Sequence, residues 1–155
     1  MIEKIALLLK QKKQTLCVAE SCTGGALAAK IISLPTASEF FLGGVVAYSE
    51  SAKIHILNVP QLVLESEGAV SQKTAILMAS SAQKLFASTW ALSTTGFAGP
   101  GGGTSTEPLG ALWIALVGPK TTITERFLFP QLKREQFVQQ GVKSALDILS
   151  LALLS

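Results

Sequence analysis

Ser21 and Cys22 place a hydroxyl and a thiol side by side in the run Ala19-Glu20-Ser21-Cys22-Thr23-Gly24-Gly25. A β-like segment, residues 15–19, precedes the run, and an Ala/Leu-rich helical segment follows from Ala26. Where a strand turns into a helix, free backbone N–H groups and the helix dipole favour an anion or a developing oxyanion. Ser21 is therefore a candidate nucleophile with amides beside it to hold a tetrahedral oxyanion. Local sequence alone favours the commoner role of a helix N-cap, with the glycine pair easing the turn. Cys22 is a competing nucleophile, because a helix N-terminus lowers a thiol's pKa, or else a small buried hydrophobe. Glu20 could orient the turn, hold a substrate hydroxyl or pair with a lysine.

A serine nucleophile needs a base, and this chain has few. It contains one His, His55, and one Asp, Asp147, besides its two Cys. A zinc site takes three or four such ligands, so neither a protein-held metal nor another cofactor is expected. A Ser-His-Asp triad would have to use His55. Lys53 is the alternative base, provided that desolvation or a neighbouring cation keeps it neutral. Tyr48, at the end of a predicted strand, can face the same crevice. Neither G-x-G-x-x-G nor G-x-x-x-x-G-K-[ST] occurs, which removes two common nucleotide-binding signatures.

The second concentration of chemistry is the loop 96–104, with five glycines in the eight residues Gly96 to Gly103. So many glycines cost conformational entropy, and their successive N–H groups can form a nest for phosphate or carboxylate. Thr95, Thr104 and Ser105 add hydroxyl donors, and Pro100 stiffens the loop. The arginines are Arg126 and Arg134. Either could clamp a phosphate, and Arg134, near the start of the last helix, is the better placed.

The elements that must position these groups follow from hydrophobic spacing and turn chemistry. Helices are expected over 2–13, 26–34, a short stretch carrying Lys53 capped by Ser49 or Ser51, a turn after Pro60, 72–87 behind Ser71, and 133–154. Strands are expected over 15–19, 40–48, 90–95, 109–117 and 121–129, the last two as an antiparallel hairpin around Gly118-Pro119. The order α-β-α-β-α-α-β-β-β-α predicts an α/β fold, a three-layer α/β/α sandwich around a mixed sheet. No internal repeat or linker appears, so residues 1–155 are expected to form one domain. If strands 15–19 and 90–95 are parallel, both glycine-bearing turns lie at strand carboxyl ends, the usual place for a ligand crevice.

Composition narrows the function classes. Of the 155 residues 48% are apolar and 15% charged, a globular balance. The net charge of +3 comes without a Lys/Arg block or a basic-aromatic stripe, which argues against nucleic acid as a partner. No apolar run is expected to be long enough to span a bilayer, and the N-terminus lacks signal-peptide character. Cys17 and Cys22 have no disulfide framework around them and read as reduced thiols of a cytoplasmic protein.

Taken together, the motifs resemble the C-terminal domain of the CinA family, whose stand-alone form is nicotinamide-nucleotide amidase. The resemblance rests on residues 19–25, on Gly44-Val45-Val46-Ala47-Tyr48-Ser49 with Ala52-Lys53, on Gly68-Ala69-Val70-Ser71, and on Thr95 through Thr104. Pro108 and Gly110 before a Trp-containing strand continue it. The resemblance implies deamidation of nicotinamide mononucleotide to nicotinic acid mononucleotide and ammonia. It further implies Ser21 as nucleophile, Lys53 as base and Tyr48 as assistant. The expected substrate-binding set is Glu20, Cys22, Thr23, Gly24 and Gly25 around the nucleophile, then Thr95, Gly96, Gly99, Pro100, Gly101, Gly102, Gly103 and Thr104, with Arg134. The implied partner is a small pyridine nucleotide, and the resemblance with the apolar composition favours a homo-oligomer. Two departures stand out: Glu107 precedes Pro108 where the family often has a basic residue, and Val138 stands where the family tends to carry a second arginine after Arg134. A non-catalytic nucleotide-binding or regulatory module and a Cys22-dependent hydrolase are the competing readings.

Overall fold

The computed structural model describes residues 1–155. The chain runs α1 (Ile2–Gln11), β1 (Leu16–Glu20), α2 (Ala26–Ile32), a 3-10 turn (Ala37–Glu39), β2 (Phe41–Val46), α3 (Glu50–His55), α4 (Gln61–Ser66), α5 (Gln72–Phe86), β3 (Trp90–Gly96), β4 (Ala111–Val117), β5 (Thr122–Leu128) and α6 (Arg134–Leu154). The strands form one sheet in the order β2-β1-β3-β4-β5. β1 pairs in parallel with both β2 and β3, and β4 is antiparallel to β3 and β5. This is the mixed sheet with helices on both faces that the element order predicts.

All five residues of β1 are buried, as a parallel strand covered on both faces should be. The period-2 alternation divides them. Leu16 and Val18 join a core with residues of α1, α2 and α6, while Cys17 and Ala19 join a second core under α5. The second core is built from small residues: Ala91 and Ala115 on the sheet meet Ala75, Met78, Ala79 and Ala82 of α5. Ser93, fully buried, satisfies its hydroxyl by donating to the Ala75 carbonyl at 2.6 Å. α6 is long and apolar enough by length and composition to cross a bilayer, but its apolar stripe, including Phe137, Ala145 and Leu149, lies in the first core.

From β1 the chain passes through α2 to β2 on one side. From β2 it returns through α5 to β3 on the other. β1 and β3 thus flank the point where the winding direction reverses, and their carboxyl ends open a crevice there. The turn at Ser21 and the glycine loop after Gly96 leave the sheet at this crevice.

Two local details differ from the sequence expectation. Glu20 is the last residue of β1, not part of the turn, because it still pairs with Val46 and Thr94. β2 stops at Val46, so Tyr48 lies in the connection to α3 rather than at a strand end. The last rung is the Ala47 N–H donating to the Glu20 carbonyl at 2.8 Å.

Candidate active site

The turn after β1 is organised by Glu20. Its carboxylate is fully buried and accepts the backbone N–H of Leu27 at 2.9 Å and of Ala28 at 3.0 Å. It also accepts the Thr23 hydroxyl at 2.6 Å, and Thr23 shares a second bond with Thr94 at 2.7 Å. The N-terminus of α2 is therefore already occupied by a carboxylate of the chain itself. The helix N-cap is Gly25, in the left-handed region at φ 97, and not Ser21. Ser21 is therefore no cap, and of the roles open to Glu20 the structure shows it orienting the turn.

Freed from capping, Ser21 is fixed from below by its N–H, which donates to the Thr94 carbonyl at 2.9 Å. Its hydroxyl faces Lys53. The Lys53 Nζ lies 2.9 Å from Ser21 Oγ, 2.9 Å from the Ala47 carbonyl and 3.3 Å from the Tyr48 carbonyl. Lys53 sits on α3, where the Ser49 hydroxyl caps the helix by accepting the Ala52 N–H at 3.0 Å. The lysine is only 2% exposed and has no carboxylate partner. Burial pushes its pKa down, against smaller opposing effects of Cys22 and Glu50. A neutral amine has two N–H donors and one lone pair. In that form the two carbonyls can take both donors and leave the lone pair facing the Ser21 hydroxyl, whereas the ammonium form donates to all three oxygens.

Cys22 lines the same cleft but is buried, and burial pushes its thiol up to about 12. It is a protonated thiol at neutral pH, in keeping with a small buried hydrophobe. His55, the rival base, is exposed and does not line the cleft.

The cleft itself is about 240 Å³. Ser21 and Lys53 lie on its wall with Tyr48, Thr95 and Gly96, and the glycine loop supplies Phe97, Ala98, Gly99 and Gly101. No Asp or Glu lines it, whereas Lys53 and Arg134 do. The backbone N–H groups of Ala98, Gly99, Gly101, Gly102 and Gly103 donate to no protein acceptor. Those of Cys22 and Thr23 likewise have none among the backbone carbonyls. A cleft with the Arg134 guanidinium at its mouth and unspent N–H donors suits an anionic ligand. No three His, Cys, Asp or Glu side chains converge to hold a metal.

Arg134 bridges the cleft mouth from the start of α6. Its Nη1 donates to the Gly99 carbonyl and its Nη2 to the Tyr48 hydroxyl, both at 2.7 Å. Tyr48 thus meets Lys53 through its backbone carbonyl, while its hydroxyl serves Arg134. Thr95 lines the cleft, but its hydroxyl already donates to the Ala69 carbonyl at 2.7 Å. Gly24, Gly25, Pro100, Gly102, Gly103 and Thr104, together with the buried Thr23, stand outside the lining. Four lining residues escaped the sequence reading: Ala69, Val70, Phe97 and Ala98. All four lie inside glycine-bearing motifs already singled out, which was the available signal.

Residues 1–153 match the family model described as the CinA C-terminal domain. The chain belongs to this family. Among CinA relatives, a CinA-like protein of Pseudothermotoga lettingae is 43% identical over 129 residues, which cover 83% of this chain and 32% of that protein. A CinA-like protein of Prochlorococcus marinus is 40% identical over 98% of this chain and 36% of its own length. The chain thus spans about a third of the length of the curated CinA relatives it matches. Solved CinA-family structures are closer to it in size. The competence damage-inducible protein A of Klebsiella pneumoniae superposes with a TM-score of 0.95 at 34% identity, covering 99% of this chain and 94% of that one. A competence/damage-inducible protein of Agrobacterium tumefaciens gives 0.90 at 30% identity, covering 99% and 96%.

Proposed function

We propose that the chain is an amidohydrolase that deamidates nicotinamide mononucleotide, with Ser21 as nucleophile and Lys53 as general base, and without a metal. The observation that carries this reading is the contact between Lys53 Nζ and Ser21 Oγ, made by a buried lysine that no carboxylate holds in its charged form. Neutral Lys53 takes the Ser21 proton while Oγ attacks the carboxamide carbon. The resulting oxyanion is met by the unspent N–H groups of Cys22 and Thr23. Lys53 then gives its proton to the departing nitrogen, the C–N bond breaks, and ammonia leaves an acyl-enzyme. A water that loses its proton to Lys53 attacks the ester, and the proton returns to Ser21 as nicotinic acid mononucleotide departs.

The nucleotide's phosphate is suited to the cationic mouth, where Arg134 and the N–H groups of the glycine loop converge. Tyr48 assists by orienting Arg134 through its hydroxyl and Lys53 through its carbonyl. A homo-oligomer of this module is part of the same proposal.

The test is ammonia release from nicotinamide mononucleotide in the presence of a chelator. Wild type turns over, Ser21→Ala loses at least about a thousandfold in kcat/KM, and Lys53→Met loses a comparable factor. A folded wild type that binds the nucleotide but releases no ammonia would leave a binding or regulatory module instead.

A further inference from the structure

The glycine loop closes on itself and is moored to the rest of the molecule at few points. At its base the Phe97 N–H donates to the Ala111 carbonyl and the Gly110 N–H to the Phe97 carbonyl, each at 2.9 Å. At its far end the Thr104 N–H donates to the Glu107 carbonyl at 2.7 Å, and the Glu107 N–H returns to the Thr104 hydroxyl at 3.0 Å. A Cβ on Gly103 would strike the Leu109 backbone nitrogen at 2.9 Å, so the two limbs of the loop lie against each other.

Between Ala98 and Glu107, two side-chain moorings reach beyond the loop. One is Arg134 on the Gly99 carbonyl. The other is the Glu107 carboxylate, which accepts the Trp113 indole N–H of β4 at 2.7 Å and the Arg126 Nε of β5 at 3.0 Å. Every other hydrogen bond of this stretch stays inside it. An arginine that turns to a bound phosphate gives up part of its hold on the loop. Glu107 is then the mooring that remains, and its side chain is only 13% exposed.

We propose that Glu107 is a positioning residue for the anion end of the cleft. Latched to Trp113 and Arg126, it keeps the cleft-lining amides of Ala98, Gly99 and Gly101 in their binding arrangement without touching the ligand. Arg126 has a second effect, since it neutralises a carboxylate that would otherwise stand next to an anion site. The inference rests on the phosphate-end reading above.

Calorimetry in a Ser21→Ala background separates binding from turnover. With nicotinamide mononucleotide as probe, Glu107→Ala raises Kd roughly tenfold, and Glu107→Gln, which keeps an acceptor for Trp113, raises it by roughly threefold. With nicotinamide riboside, which has the same carboxamide and no phosphate, Kd is unchanged in both. Equal losses for both probes, or an unchanged nucleotide Kd in folded Glu107→Ala, would overturn the proposal. If wild type binds the nucleotide yet does not hydrolyse it, the amidase reading falls, and the variant Kd values decide the latch as before. If neither probe binds, the substrate reading falls, and amide hydrogen exchange decides the latch. Faster exchange of the hydrogen-bonded amides that close the loop, those of Phe97, Thr104, Glu107 and Gly110, in Glu107→Ala supports it, and unchanged exchange there rejects it.

Discussion

At the scale of the residue, the site rests on the protonation state of Lys53. Burial disfavours the ammonium form, so the folded-state pKa lies below the ordinary lysine value of about 10.4. The proposed mechanism requires the neutral form. The rate therefore rises with pH, with log kcat/KM climbing at unit slope until Lys53 has lost its proton. A profile of kcat/KM from pH 5 upward checks this, and the limb should disappear from the residual activity of Lys53→Met. The rival thiols cannot produce it in that range, because burial holds Cys22 at about 12 and Cys17 at about 11. Residue types made Lys53 a candidate base beside His55, and it was the family resemblance that paired it with Ser21. Their contact was not legible in the sequence, because 32 positions separate them and only the β1–β2 pairing brings them within reach.

At the scale of the element, the strands and helices were legible to within a few residues, since spacing and turn residues are local signals. The role of Glu20 was not. Whether a carboxylate at a strand end turns outward to a ligand or inward to a helix terminus depends on where that helix docks, which local sequence does not encode. The same holds for Gly44. It reads as a softened strand start, but the fold uses it for close approach: a Cβ there would lie 2.4 Å from Val18 Cγ2 and 3.1 Å from the Val18 carbonyl. Gly44→Ala should wedge β2 from β1 and cost about 1–3 kcal/mol, lowering Tm by several degrees in a thermal melt. It should also weaken catalysis, because β2 leads directly into the Ala47 and Tyr48 carbonyls that seat Lys53.

At the scale of the whole molecule, the winding reversal between β1 and β3 gathers Ser21, Lys53, the glycine loop and Arg134 at one end of the sheet. Every group assigned to the proposed chemistry lies within the matched domain, residues 1–153, although the curated relatives are about three times as long. The expressed chain should therefore hydrolyse the nucleotide unaided, and addition of the remaining part of a longer relative should leave kcat within about twofold, as an ammonia assay would record. The two halves of the dyad differ in their support. Ser21 is bolted to the central strands, whereas Lys53 rides on α3, a single helix of six residues capped by Ser49. Short helices at a sheet's margin open at a lower free energy than central strands. Warming should consequently disconnect the base from the nucleophile while the sheet is still intact, so the chain loses its catalytic power at temperatures where its circular dichroism has not yet changed, and recovers it on cooling.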